Sequence, residues 1–101
     1  MQLTVTDRAS KWFQEEMGLS QGMGVRFFGK VYGKTPVHNG FSLGMFRDDH
    51  PISPIVDTVK DGVHYFVDAQ DEWFFKGFDF GVDYDEKSDG PTYQYTKNGE
   101  L

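Results

Sequence analysis

Residues 25–45 read VRFFGKVYGKTPVHNGFSLGM, two strand-like stretches on either side of a glycine-rich loop that carries His38 near its end. From Val25 to Tyr32 the residues alternate, with Val25, Phe27, Gly29 and Val31 on one side and Arg26, Phe28, Lys30 and Tyr32 on the other, the two-residue period of a β-strand. Aromatic rings fall on both sides, which predicts a central strand. Gly33 to Gly40 is a loop by composition, since Gly33, Pro36 and Asn39-Gly40 all supply turn chemistry. Phe41 to Phe46 is the next strand.

Working outward toward the amino terminus, Gly22 and Gly24 form a hairpin or loop rather than a nucleotide-binding turn. The third glycine of G-x-G-x-x-G would fall on Phe27, and a strand follows instead of a helix. Before them, Ala9, Trp12, Phe13 and Met17 recur at helical spacing, while Arg8, Lys11, Gln14 and Glu15 take the opposite side. Thr6 followed by Asp7 is a good amino-terminal cap for this helix, and Gly18 ends it. Such an aromatic stripe is a core face. Met1 to Val5 alternates as a short strand.

Toward the carboxyl terminus, Asp48, Asp49, His50, Pro51 and Pro54 predict a polar connection. A strand follows from Val63 to Val67, and Asp68 then caps a short second helix, Ala69 to Lys76, with Trp73 and Phe74 as its buried pair and Gly77 as its stop. Phe78 to Tyr84 alternates strictly, with Phe78, Phe80, Val82 and Tyr84 inward and Asp79 and Asp83 outward. Glu86 to Pro91 turns the chain into a last strand, Thr92 to Thr96, and Lys97 to Leu101 is a mobile tail. The elements predict an α+β domain, β-rich, with mixed, mostly antiparallel sheets and two short helices. A chain of 101 residues forms one domain, because at this size only about two thirds of the unfolded surface can be buried.

Ten Phe, five Tyr and two Trp supply bulky core material although hydrophobic residues make up only 38%. Sixteen acidic residues against ten basic give a net charge of −6, which repels phosphate backbones and anionic lipid and argues against nucleic acid as a partner. No apolar run is long enough to span a membrane, and no signal-peptide core opens the chain, so a cytoplasmic protein is expected. The absence of cysteine excludes disulfides, thiol catalysis and thiolate metal sites together.

Motifs of known chemistry fail one by one. Gly33-Lys34-Thr35 ends like a phosphate loop, but the required upstream glycine is Phe28. Asp83, Asp85 and Asp89 are spaced somewhat like a calcium loop, yet Lys87 and Ser88 stand where it needs a glycine and oxygen donors. Asp48, Asp49 and His50 read as a solvated acidic turn, and His64 as a surface or hydrogen-bonded residue. There is no G-x-S-x-G, no H-E-x-x-H and no paired histidine spacing, so an enzyme is not expected.

Three stretches resemble the A-type iron-sulfur carrier family, also called HesB/IscA-like. LTVTDRASKWF resembles its opening L-T-x-x-A-x-x and first helix. Gly24-Val25-Arg26, with His38-Asn39-Gly40-Phe41-Ser42-Leu43-Gly44, resembles its G-[LV]-R strand and G-C-S-G-F-x-Y turn. Phe66-Val67-Asp68 through Trp73 and Gly77 to Val82-Asp83-Tyr84 resembles its V-D-x-x-S-x-x-x-L-x-G…[IV]-D-Y stretch, with extra residues after Gly77. At the carboxyl end, where the family has C-G-C-G-[ES], only Gly99 and Glu100 fit.

The resemblance implies a single HesB/IscA-like domain over residues 1–101, in a family that carries iron or iron-sulfur clusters to other proteins. Its ligands do not carry over: His38 stands at the first cysteine position, and Thr96 and Asn98 at the other two. An amide and a hydroxyl are poor ligands for soft iron, which leaves His38 as the one candidate metal ligand and the cofactor open. The first expectation is therefore a non-catalytic protein of this family that has lost standard cluster ligation. The alternative is a protein-interaction module or homo-oligomer, with Phe28, Tyr32, Tyr93 and Tyr95 as contact residues; a small-ligand enzyme is the third.

Overall fold

The computed structural model describes residues 1–30, 33 and 42–98. Strand β1 (Leu3–Val5) runs into helix α1 (Asp7–Met17) through Thr6, whose backbone is extended and whose hydroxyl accepts the Ala9 N–H at 3.2 Å. That satisfies one of the orphan donors of the first helical turn. Gly18 closes the helix in the left-handed region, at φ 63, as its position predicts. Strands β2 (Gly24–Lys30), β3 (Ser42–Arg47), β4 (Pro54–Lys60) and β5 (Val63–Asp68) follow. A 3-10 turn (Ala69–Asp71), a one-turn helix α2 (Glu72–Phe75) and strands β6 (Phe78–Asp85) and β7 (Gly90–Lys97) complete the described chain.

The strands form two sheets, ordered β1-β6-β7 and β3-β2-β5-β4. As its double-sided aromatic pattern predicts, β2 is internal. Three pairings are antiparallel, β2–β3, β4–β5 and β6–β7, but β1–β6 and β2–β5 are parallel. The expectation of mostly antiparallel sheets thus holds only for neighbours joined by local connections. The parallel pairs join strands distant in sequence, and no local signal marks them.

Two expectations need correction. Residues 54–60 are not polar connection but the edge strand β4. Pro54 and the outward Asp57 mask its period, although Asp61-Gly62, with φ 53 and 77, forms the tight two-residue turn to β5. Trp73 is also not half of the buried pair: it is 45% exposed, while Phe74 and Phe75 are buried. The second helix is shorter than read, so the side chains it turns inward are displaced by one.

The core lies between the two sheets. Val25, Phe27, Tyr65 and Val67 face Leu3, Val5, Phe80 and Val82, and Phe13 of α1 with Phe74 and Phe75 of α2 closes the sides. Phe80 spans the layer, with its ring centroid 5.4 Å from Phe27, 5.1 Å from Phe75 and 5.3 Å from Tyr95. Tyr93 stacks on it at 5.7 Å. One polar pair sits within this layer: the Ser10 and Tyr65 hydroxyls hydrogen-bond at 2.9 Å, and burial pushes the Tyr65 phenol up.

The far face of the four-stranded sheet carries Arg26, Phe28, His64 and Phe66, by the alternation of β2 and β5. The connection from β3 to β4 begins beside Gly24, whose carbonyl accepts the Asp48 N–H at 2.9 Å, and ends beside Ala69, whose N–H donates to Ser53 O at 2.9 Å. It therefore crosses β2 and β5, and it does so on this far face: a Cβ on Gly24 would meet the Asp48 carbonyl oxygen. Phe66, outside the main core, is only 1% exposed.

The Asp83 carboxylate ties α1 to β6. It accepts from Arg8 Nε at 2.8 Å and Nη2 at 2.9 Å, from the Thr6 hydroxyl at 2.8 Å and from the Tyr84 N–H at 2.8 Å. Arg8 first, then the Tyr84 N–H, holds its carboxyl well below the usual range. A lowered folded pKa contributes stability above the ordinary aspartate value of about 3.9, which is lost as pH falls toward the lower folded value. Urea titrations should accordingly show Asp83→Asn less stable than the parent at pH 7, with the gap closing below about pH 4. Phe80→Ala should cost about 3–5 kcal/mol in the same assay, the usual range for deleting a buried aromatic ring.

Candidate functional site

The cluster-ligand positions of the carrier family can be followed in part. His38 lies outside the described residues. Thr96 lies in β7 opposite Asp79 and is exposed. Asn98 follows β7: its N–H donates to Gly77 O at 3.0 Å, and its side-chain amide donates to Asp79 Oδ1 at 3.1 Å. The same Asp79 oxygen accepts the Gln2 N–H at 2.9 Å, and these two donors hold the carboxyl below its ordinary value. The residue standing for a cysteine is thus a structural tie between β7 and β6. A neutral hydroxyl and a committed amide do not fit an iron-sulfur cluster.

The other polar clusters are engaged with the chain itself. Asp48 accepts the His50 N–H at 3.0 Å, while Asp49 accepts the Gly24 N–H at 3.1 Å and pairs with Arg47 at 2.7 Å. Arg47 is the main cause of the lowered Asp49 carboxyl. The spacing of Asp83, Asp85 and Asp89 does not make a shared site either: Asp85 accepts from Lys87 N–H and Ser88 Oγ, and Asp89 accepts the Tyr84 hydroxyl at 2.6 Å. That last bond helps push the Tyr84 phenol up to about 12. His64 Nδ1 lies 3.0 Å from Asp57, a hydrogen-bonded surface histidine as expected. Among the described residues, no three His, Asp or Glu side chains converge as around a metal ion.

The aromatic contact residues expected from sequence are largely redistributed. Tyr93 and Tyr95 are partly buried against the core, on Phe80, and burial pushes both phenols up to about 12. They are core-edge residues, which corrects their reading as surface contacts. Tyr32 lies outside the described residues. Phe28 is half-buried, edge-on to Phe46 at 5.4 Å. The large apolar residues exposed among the described residues are Phe46 at 40%, Ile52 at 90%, Val59 at 57% and Trp73. Sequence reading missed all four as surface. Val59 and Ile52 could have been found had β4 and its preceding crossover been recognised.

One charged group is deeply set on the far face. Arg26 Nη2 pairs with Asp71 at 2.7 Å and lies 3.9 Å from Asp68, with the Arg26 and Asp71 side chains 16% and 10% exposed. The guanidinium also sits 5.4 Å from the Phe46 ring centroid, a cation-π distance. Arg26 therefore links β2, β3 and the turn before α2.

No family model matches the chain. A Bacillus subtilis protein named pyruvate dehydrogenase inhibitor is 37% identical over 95 residues, spanning 94% of this chain and 99% of the relative. The chain belongs to the family of that protein. An uncharacterized protein of Staphylococcus saprophyticus is 26% identical over 95 residues, 92% of this chain and 97% of its own. Among solved structures, Escherichia coli SufA, involved in biosynthesis of iron-sulfur clusters, superposes with a TM-score of 0.57 at 21% identity, covering 96% of this chain and 86% of that one. That likeness shows the fold, which is the one the sequence resemblance implies.

Within this fold the Arg26 pair is a structural anchor whose loss is measurable. Arg26→Met would leave Asp71 and Asp68 without their cation, and a destabilisation of about 3 kcal/mol is expected for breaking such a pair. Adding Asp71→Asn should recover part of that loss, so that the double variant in urea melts is more stable than the two single effects summed.

Proposed function

We propose that this chain is a non-enzymatic, protein-binding regulator on an iron-sulfur-carrier fold, which binds an enzyme complex of the pyruvate dehydrogenase type and lowers its turnover. The observation that carries the reading is the relative named as an inhibitor of pyruvate dehydrogenase, matched along nearly the whole of both chains. The chemistry agrees with it. With no cysteine in the chain, and with Asn98 committed to Asp79, one of the carrier's ligand positions serves the fold instead. Function on a shared fold is decided by the site and not by the architecture.

The expected result is a dose-dependent fall in pyruvate turnover when the purified chain is added to the purified complex of the same organism, saturating at a fixed ratio of chain to complex. Unchanged turnover together with no co-migration in sedimentation would refute the reading. The SufA-like fold supports one second reading, a residual metal role for His38. In that case the protein should take up stoichiometric iron on anaerobic reconstitution and lose it in His38→Ala; equal metal content in both would remove the role from His38.

A further inference from the structure

We infer that the far face of the four-stranded sheet is the docking surface of this chain, and that it receives a protein segment presenting lysine or arginine among apolar side chains. The inference rests on the reading of the chain as a regulator that works by binding, and names where and what it binds.

Three of the four large apolar residues exposed among the described residues belong to this face: Phe46 from β3, Val59 from β4, and Ile52 from the connection that crosses between them. The strand registers set Phe46, Arg26, Phe66 and Asp57 in one row, and Gly24, His64 and Val59 in the next. Beneath them the face is firm rather than pliable. Phe66 is buried, Phe28 lies edge-on to Phe46, and Arg26 is fixed by Asp71. A preorganised apolar patch on a rigid sheet loses little entropy on binding.

Charge selects the occupant. Among the described residues of this face and its connection, Asp48, Asp49, Asp57, Asp68 and Asp71 stand against Arg26 and Lys30, with Arg47 at the end of β3. Arg26 is held within the chain by Asp71, and Arg47 by Asp49. By contrast, the Asp48 carboxylate accepts a backbone N–H, and Asp57 faces only the His64 ring among the bonds resolved. The face therefore presents net negative charge around its apolar residues, within a chain of net charge −6. A second copy would set these carboxylates against their like, and nucleic acid or anionic lipid would be repelled. A basic, apolar-tipped protein segment is complementary on both counts.

The test uses two probes, the purified pyruvate dehydrogenase complex and an amphipathic peptide of alternating leucine and lysine faces. Ile52→Ser with Val59→Ser changes only exposed side chains, and is expected to weaken binding of the complex at least tenfold. Asp48→Asn with Asp57→Asn keeps the hydrogen-bond acceptors and should flatten the salt dependence of binding. Gln94→Ala with Thr96→Ala, on the outside of the other sheet, should stay within twofold of the parent. The peptide should shift backbone amide resonances of β3, β4 and residues 48–53 in NMR spectra. Equal affinity of the Ile52 and Val59 variant for the complex would overturn the docking face while leaving the inhibitor reading intact. Peptide shifts elsewhere, or none, would also overturn it. No binding of the complex by the parent chain, with peptide shifts still on this face, would remove the inhibitor reading and leave the docking face standing.

Discussion

The Phe80 ring is the contact on which the two sheets depend. It touches Phe27 of the opposite sheet, Phe75 of α2 and both tyrosines of β7, with centroids 5.1–5.7 Å apart. With ten phenylalanines and only four leucines, the chain fills its interior with edge-to-face rings, each of which needs its neighbours at set angles. Aliphatic cores tolerate repacking more readily than such an array. The arrangement fixes the spacing of the sheets, and with it the orientation of the far face that Arg26 and Phe66 organise.

Where a local rule governs the structure, the sequence revealed it. Thr6 and Gly18 bound α1, the double-sided aromatics of β2 place it inside a sheet, and the alternation of β6 turns Phe80 and Val82 inward. Where tertiary contact decides, it did not. The parallel partners of β1 and β2 arrive from distant positions, and nothing in either strand announces them. Strand β4 was hidden by Pro54 and by the polar residues of an edge. The second helix, read as Ala69–Lys76, is a 3-10 turn and the four residues of α2, and Phe75 in place of Trp73 is the side chain buried beside Phe74.

The surface was less legible than the fold for a related reason. Tyr93 and Tyr95 alternate with polar residues and look half-exposed, yet the ring of Phe80 draws them in. Of the large apolar residues that reach solvent, Phe46, Ile52 and Val59 lie at a strand edge or in a crossover, where no period distinguishes inside from outside. Motif order aligns Asn98 with a ligand position of the carrier family only by resemblance. What the residues there do instead became visible only in the hydrogen bonds of Asn98.

Those bonds bear on what position 98 can hold. The amide of Asn98 and the N–H of Gln2 converge on one carboxylate oxygen of Asp79, so the first and last strands of this sheet meet at a single atom. A cysteine at position 98 would supply a thiolate but no comparable donor, and would set a second negative charge beside Asp79. A thiolate at position 98 would therefore open the clasp on Asp79. Asp79 and Asn98 would have to change together for a cysteine to sit there, so the two positions act as one unit in this chain.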